Sequence, residues 1–267
     1  YYVWSPRRYS EQFIERFGPE RYENDEITDR HKDIAASFQK RIEDVVLEII
    51  KVSSSNDVNV EIIIVNDGST DDTGNIAEAL TSRFSNVRVI HNSKNFGLGK
   101  CFEQVILNAK GEKLLTVPGD GDMSSVDLAL MLNNAYKADM VFLYFLNKEM
   151  RGRFRNILST LYNSLFFVFF SIYVQYINGP CVLPIKKLRE LDFYSNRFSI
   201  AAEMAVKLLH SGCSFYEIPG YMQKGAQGST AVSYKNLLEV CTSFIRLIVE
   251  IKITGRNKYN KSPERVQ

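Results

Sequence analysis

Apolar runs that end abruptly in polar, acidic or glycine residues are the main pattern along this chain. The clearest is the β-branched run at residues 60–65, which is followed by the polar segment 66–70 and then by apolar residues at helical spacing over residues 73–84. A continuous apolar run is typical of a strand that is buried on both faces in a parallel sheet. The pattern therefore predicts a strand, a polar turn and a helix, with Asp67 at the carboxyl end of the strand.

Predicted strands and helices alternate along the remainder of the chain. Further helices are predicted at 34–52, 101–109, 126–136, 199–210 and 236–253, and further strands at 87–91, 113–117, 139–145 and 213–218. The alternation calls for right-handed crossovers and predicts an α/β fold with a mostly parallel sheet flanked by helices. Because ligands of open α/β sheets bind outside the carboxyl ends of the strands, we expect a nucleotide site at the edge that holds Asp67.

A second strand end also carries carboxylates. The apolar run 113–117 leads directly into a turn-forming segment in which Gly121 separates Asp120 from Asp122. Two carboxylates separated by one residue in an extended segment can point to the same side of the chain, where they could share one cation. An acidic surface turn is the alternative interpretation of these residues.

Residues 156–185 form the most lipophilic part of the chain, because no charged residue occurs among them. Serine, threonine and asparagine side chains interrupt this segment, whereas a spanning helix needs about 20 predominantly apolar residues. We therefore favour a helix or helix pair lying at a membrane surface over residues 156–177, with a buried core helix as the alternative. A basic cluster precedes the segment and would lie near lipid headgroups; it consists of Lys148, Arg151, Arg153 and Arg155.

Composition narrows the class of protein. The 267 residues contain 33 Lys and Arg against 31 Asp and Glu, so no overall positive field favours nucleic acid as a partner. The four cysteines lack CxxC spacing, which argues against a zinc site or a disulfide framework and fits a reducing compartment. The opening residues lack the apolar core of a secretory signal.

We expect one domain at 34–253, an atypical N-terminal segment at 1–33 and a basic, flexible tail at 254–267.

Taken in order, several motifs resemble those of family 2 glycosyltransferases, which have the Rossmann-like GT-A fold. Within that family the chain is similar to the dolichol-phosphate mannosyltransferase-like and polyprenyl-phosphate glycosyltransferase branch. The resemblance covers roughly residues 34–253 and depends on segments 61–73 (DDGSxDxT), 95–99 (NxGxG), 120–122 (DXD) and 178–180 (a later Gly turn), and on Glu203. There are two departures: Asn66 replaces the first Asp of the family's pair, and no good copy of the base-holding P-x-Y-N-E motif precedes residue 34.

On the donor side, the resemblance implies a UDP- or GDP-sugar and a Mn²⁺ or Mg²⁺ ion held by Asp120 and Asp122. Such an ion would stabilise the negative charge that grows on the departing nucleoside diphosphate. The residues implied to bind the nucleotide are Asp67, Gly68, Ser69, Asn95, Gly97, Gly99 and Asp120. On their chemistry alone, a helix cap or turn remains open for Asp67, and a simple turn for the two loop glycines.

On the acceptor side, the resemblance implies that Arg155 and Ser159 contact phosphates, as do Lys224 and Ser229 in a later loop. A solvated or headgroup-facing arginine is the alternative for Arg155. Glu203 matches the position of a general base that deprotonates an acceptor hydroxyl, whereas a lipid phosphate is already anionic and needs no base. The implied catalytic residues are therefore Asp122, Glu203 and Arg155.

Three functions follow as hypotheses. The leading one is a metal-dependent inverting glycosyltransferase that passes a sugar to a polyprenyl-phosphate or other envelope-linked acceptor at the cytoplasmic face of the cell membrane, through membrane-proximal C-terminal helices. The second is transfer to a saccharide hydroxyl in surface-polysaccharide assembly, with Glu203 as the base. The third is a non-catalytic nucleotide-sugar-binding protein or membrane scaffold, against which the presence of both Asp120 and Asp122 argues.

Overall fold

A computed structural model describes residues 28–117, 123–150, 153–197, 199–221 and 234–267 of the chain. For residues 29–40, 150, 154–155 and 234–238 it describes the backbone alone. The N-terminal segment before residue 28, the carboxylates Asp120 and Asp122, and the loop residues Lys224 and Ser229 lie outside the described residues.

The helices and strands that the apolar pattern predicts all occur, in the predicted order. The strands are β1 Ile62–Asn66, β2 Val87–His91, β3 Lys113–Leu115, β4 Met140–Phe145, β5 Cys181–Pro184, β6 Ser214–Gly220 and β7 Glu264–Arg265. The helices are α1 Asp29–Ser55, α2 Thr73–Arg83, α3 Leu98–Asn108, α4 Ser125–Asn133, α5 Arg153–Phe170, α6 Ile185–Leu188, α7 Ser199–His210 and α8 Tyr234–Val249. Helix α8 continues into a wider π-helical turn, Glu250–Thr254.

Strand pairing confirms the α/β class with parallel pairs in the majority, in a two-stranded sheet of β1 and β2 and a five-stranded sheet in the order β3-β5-β4-β6-β7. Strands β1 and β2 pair in parallel, as do β4 with β6 and β6 with β7. Strand β5 pairs antiparallel with both of its neighbours, β3 and β4. The sequence pattern did not predict β5, because its four buried residues merge with the uncharged run that precedes them. Strand β1 nevertheless ends where predicted, next to Asp67.

The two faces of helix α5 differ in burial. Phe166 and Phe170 are buried, and both pack edge-to-face against Phe244 of α8. On the same helix, Leu161 and Val168 are largely exposed. One face therefore belongs to the core while the other remains uncovered. Among the described residues, no helix is both long enough and apolar enough to cross a membrane.

The C-terminal residues differ from the flexible tail that their basic composition suggested. Tyr259 is buried in the main core, and the backbone N–H of Lys261 donates to the carbonyl of His210. Farther on, Glu264 and Arg265 pair with the outer edge of β6. The tail prediction was wrong in this respect because charge along the chain does not reveal that a sheet edge is free to accept another strand.

Candidate functional site

Asp67 connects the end of β1 to the loop that follows β2. Its Oδ1 accepts hydrogen bonds from Asn92 Nδ2 (2.8 Å) and from the backbone N–H of Phe96 (2.9 Å), and its Oδ2 accepts from the backbone N–H of Gly97 (2.8 Å). The carboxylate thus holds residues 95–99, here called the glycine loop, at the carboxyl edge of the two parallel strands. This is the edge where the sequence predicted a ligand.

Electrostatics keeps Asp67 in its charged form. Burial alone would raise the pKa of its carboxyl, but hydrogen bonds from Phe96, Asn92 and Gly97 together outweigh it, so the pKa lies below its ordinary value. The neighbouring Cys101 responds in the opposite direction: burial and the nearby Asp67 charge raise the pKa of its thiol to about 11. Cys101 is therefore a protonated neighbour near neutral pH, not a reactive thiolate.

Three glycines allow backbone segments to meet at this site. Gly68 has φ +73°, and a Cβ at this position would lie 2.4 Å from the carbonyl carbon of Lys94. Gly97 has φ +89°, a conformation that residues with a side chain rarely adopt. A Cβ on Gly99 would lie 2.2 Å from the carbonyl oxygen of Ser195. Gly68 and Gly99 are thus required because other backbone atoms approach them closely. Gly97 is required because its backbone adopts a left-handed conformation.

Asn66, the departure from the family's first Asp, takes part in a local hydrogen-bond chain. Its Oδ1 accepts from the backbone N–H of Ser69 (3.1 Å), and its Nδ2 lies 3.1 Å from Nδ1 of His91. His91 Nε2 in turn lies 2.9 Å from Glu78 Oε1. An amide can accept from Ser69 and donate to a neutral imidazole at once, which a carboxylate cannot do. Asn66 therefore shapes the turn that carries Gly68 and Ser69.

Two contributors to this site were not identified from the sequence. The sequence shows no metal-ligand spacing around His91, and Asn92 falls in the polar segment that follows the predicted strand 87–91. Asn92 is buried and connects Asp67 with Gln104. Its Nδ2 donates to Asp67, and its Oδ1 accepts a hydrogen bond from Gln104 Nε2 (2.7 Å). Both residues sit at the end of β2, so the available signal was that polar side chains follow a second parallel strand.

The predicted cation ligands, Asp120 and Asp122, come between strand β3 and helix α4 in the chain. Strand β3 ends before them at Leu115, and α4 begins after them with the Ser124 hydroxyl capping the N–H of Asp127. Two carboxylates are suitable oxygen ligands for Mg²⁺ or Mn²⁺. Within the described ranges, no group of three or more His, Cys, Asp or Glu side chains is arranged to hold a metal. Asp120 and Asp122 thus remain the predicted ligands.

Two of the predicted acceptor-side residues, Ser159 and Glu203, have described side chains. Ser159 lies on α5, where it is partly buried, and for Arg155 of the same helix only the backbone is described. Glu203 lies inside the core on α7 and is 2% exposed. Its carboxylate accepts from the backbone N–H of Ser195 (3.0 Å) and pairs with Lys207 Nζ (2.8 Å). The structure therefore brings together the donor-side residues 67–69 and 95–99, with Glu203 behind them.

Curated proteins similar to this chain include several glycosyltransferases. The chain is 33% identical over 82 residues to a protein named dolichyl-phosphate beta-glucosyltransferase ALG5D of Trichomonas vaginalis, a match that covers 31% of the chain and 25% of the relative. It is 30% identical over 124 residues to a cholesterol galactosyltransferase of Borreliella burgdorferi, covering 38% and 34%. The chain thus spans only a quarter to a third of these relatives. An uncharacterized Methanocaldococcus jannaschii protein, MJ0544, is 24% identical, with 72% and 89% covered.

Solved structures show the same fold. Mannosyl-3-phosphoglycerate synthase from Rubrobacter xylanophilus aligns with a TM-score of 0.60 at 16% identity, covering 82% of this chain and 72% of that one. Glucosyl-3-phosphoglycerate synthase from Mycobacterium tuberculosis, solved with Mn²⁺, UDP and phosphoglyceric acid, aligns with a TM-score of 0.54 at 15% identity, covering 86% and 84%. The family model described as "Glycosyl transferase family 2" matches residues 34–188, which is more than half of the chain. The protein therefore belongs to glycosyl transferase family 2.

Proposed function

We propose that this protein transfers a sugar from a UDP- or GDP-sugar to a polyprenyl-phosphate acceptor at a membrane surface, with inversion at the anomeric carbon. Family membership supports the donor chemistry. The relative named as a dolichyl-phosphate glucosyltransferase supports a lipid phosphate as the acceptor class. An oxygen of the lipid phosphate would attack the anomeric carbon directly, and the bond between that carbon and the nucleoside diphosphate would break.

The observation that carries the lipid part of this proposal is an uncovered apolar face on helices α5 and α8. Its residues are large, hydrophobic and exposed, although the two helices pack on each other through the buried Phe166 and Phe170 of α5 and the partly buried Phe244 of α8. The face, called the apolar face below, comprises Ile157, Leu158, Leu161, Leu165, Phe167, Val168, Ile245, Val249 and Ile253. Exposed apolar surface of this extent marks a partner or a membrane.

Basic side chains flank the apolar face, which favours an anionic membrane over a protein partner. Arg153 is exposed at the start of α5, and Lys252 and Arg256 are exposed beyond α8. Each Lys or Arg near an anionic leaflet contributes about 1 kcal/mol of attraction. We therefore place the protein at the inner face of the cell membrane, lying on it through both helices, with a role in envelope assembly.

On the donor side, this chain's residues bind and orient the nucleotide. Asp67 accepts hydrogen bonds from Asn92 and from the backbone N–H groups of Phe96 and Gly97, and its charged carboxylate would also accept from a ribose hydroxyl or a base N–H of the donor. The glycine loop would approach the nucleotide through its backbone, and Ser69 and Asn95 are exposed beside it. Asp120 and Asp122 would hold Mn²⁺ or Mg²⁺, which supplies charge stabilisation for the leaving diphosphate.

Transfer to a saccharide hydroxyl is a weaker candidate because the general base it needs is already occupied. Glu203 accepts two backbone N–H groups and is paired with Lys207, away from solvent. A base must reach the hydroxyl proton within hydrogen-bonding distance. A lipid phosphate is anionic near neutral pH and needs no such base, so the buried Glu203 supports the phosphate acceptor.

The test is donor turnover with UDP- and GDP-sugars, polyprenyl phosphate and either Mn²⁺, Mg²⁺ or a chelator. We expect labelled sugar to enter the lipid only when the metal is present, because the carboxylate pair alone cannot neutralise the leaving diphosphate. Asp122→Ala, measured in parallel, should lose the metal-dependent product. Nucleotide release without lipid product would favour a saccharide acceptor, and no release from any donor would favour the scaffold hypothesis.

Membrane binding has a separate test on the apolar face. Val168→Asp is expected to weaken binding to phosphatidylglycerol-containing vesicles about tenfold, because it places a charge where an apolar side chain would enter the lipid interface. Vesicle cosedimentation measures the change. Leu107→Asp is the matched control, since Leu107 is equally exposed, but on α3. Equal binding by both variants and the unaltered protein would contradict the assignment of this face.

A further inference from the structure

A buried carboxylate and a buried ammonium hold one segment of backbone next to α7. Glu203 Oε2 accepts from the backbone N–H of Ser195 (3.0 Å), and its Oε1 accepts from that of Tyr194 (3.2 Å). Lys207 Nζ lies 2.8 Å from Glu203 Oε1 and donates to the carbonyl of Asp192 (2.6 Å). The two side chains thus fix residues 192–196, called the support segment below, at three backbone groups.

The other side of the support segment meets the glycine loop. The backbone N–H of Gly99 donates to the carbonyl oxygen of Asn196 (3.2 Å). A Cβ on Gly99 would lie 2.2 Å from the Ser195 oxygen, and one on Gly97 would lie 2.9 Å from the Asn196 oxygen. The glycine loop therefore rests directly on backbone that the Glu203–Lys207 pair holds in place.

The ion pair between Glu203 and Lys207 is buried, so each charge depends on protein partners for its stabilisation. Glu203 and Lys207 are 2% and 1% exposed, so neither charge has water as an alternative partner. Lys207 also contacts Glu250 Oε1 at 2.9 Å, which anchors the pair to the turn after α8. Removing Lys207 would leave the buried Glu203 charge uncompensated, whereas removing Glu203 leaves Lys207 paired with Glu250 but takes away the acceptor for the support segment.

We propose that Glu203, together with Lys207, is a positioning residue for the donor nucleotide and not a general base. The proposal rests on the proposed function, because it assigns the glycine loop to nucleotide binding. The pair holds the support segment, the support segment holds Gly97 and the buried Gly99, and the exposed part of the same loop, which includes Asn95, would contact the donor. Disturbing Glu203 therefore weakens donor binding first and leaves the chemical step of bound donor largely intact.

The experiment is a double-mutant cycle in the full chain with Glu203→Gln, Lys207→Met and both together. Each single change is expected to raise the donor KM, and the Kd of UDP or GDP with Mn²⁺, at least tenfold, while kcat changes less than about threefold. The double variant should bind the nucleotide better than the product of the two single losses predicts, because it lacks the buried Glu203 charge that Lys207→Met alone leaves unpaired. The pH profile of kcat should keep its acidic limb.

A second variant approaches the same contact from the opposite side. Gly99→Ala inserts a methyl group against the Ser195 oxygen, and it should produce the same rise in donor KM even if the changes at Glu203 prevent folding. Glu217→Gln is the matched control. Glu217 is also a buried carboxylate that accepts a backbone N–H, from Gln175, but it lies on β6 outside this contact. The Glu217→Gln variant should leave the donor KM unchanged.

Two outcomes would overturn the positioning role. A large loss of kcat at unchanged donor KM in Glu203→Gln, with loss of the acidic limb, would identify a general base. Unchanged nucleotide affinity in both Glu203→Gln and Gly99→Ala would remove the link between the support segment and the donor. Absence of sugar transfer by the unaltered protein would reject the proposed function, while its nucleotide affinity would still test the positioning role. Absence of nucleotide binding would reject both.

Discussion

Asp67→Ala is expected to lower kcat/KM for the nucleotide-sugar donor by about a hundredfold or more. Alanine removes the acceptor for Asn92 Nδ2 and for the backbone N–H groups of Phe96 and Gly97. Hydrogen bonds to a charged group contribute about 1.5–3 kcal/mol each, so the glycine loop loses its main anchor at the β1 edge. The proposed contact to ribose or base is lost as well. Steady-state kinetics and nucleotide titration calorimetry measure both effects.

Asp71→Ala is the matched control for Asp67. Asp71 is an exposed aspartate four residues later, and its carboxylate accepts only a local hydrogen bond from the Thr73 N–H. We expect it to change kcat/KM less than about threefold, because water replaces an exposed partner at little cost. If Asp67→Ala bound donor as tightly as Asp71→Ala while remaining folded, the site at the end of β1 would be wrongly assigned.

Phe166→Ala is expected to lower the free energy of unfolding by about 3–5 kcal/mol. Phe166 is 2% exposed, and its ring lies 4.9 Å from that of Tyr162, 5.2 Å from that of Phe244 and 5.8 Å from that of Phe170. Truncation leaves a cavity where α5 meets α8, and the surrounding aromatic rings also lose their contacts with Phe166. Urea unfolding followed by circular dichroism measures the change.

The adjacent residue provides the control on the same helix. Phe167 is 44% exposed on the apolar face and lies against Tyr173. Phe167→Ala is expected to lower the free energy of unfolding by less than about 1 kcal/mol, since little buried surface is lost, yet it should weaken vesicle binding. Equal destabilisation by the two variants would mean that α5 has no distinct buried face.

The local pattern of apolar and polar residues was sufficient to predict the strands and helices around the donor site. The continuous apolar run before Asp67 predicted a buried parallel strand, and the polar residues after it predicted a turn at the carboxyl edge. Strand β2 and helix α7 occupy the predicted residues. These features could be predicted because burial on both faces, turn chemistry and helix spacing are each properties of a few consecutive residues.

Contacts between distant residues decided the rest. No local signal showed that β5 would insert antiparallel between β3 and β4, or that the basic C-terminal residues would add β7 to β6. The role of Glu203 was equally hidden, since a glutamate on an amphipathic helix has the same local pattern whether it faces solvent, substrate or Lys207.

The segments that form strands β1 and β2, and the carboxylate and glycines that follow them, could be predicted from local pattern. The folded chain was needed to show that the Asp67 carboxylate binds the glycine loop, that this loop rests on the support segment, and that α5 buries one aromatic face while exposing the next. The physical reason is that strand and helix formation depend on near neighbours, whereas the partner of a buried charge or a close glycine contact is set by segments far apart in the chain.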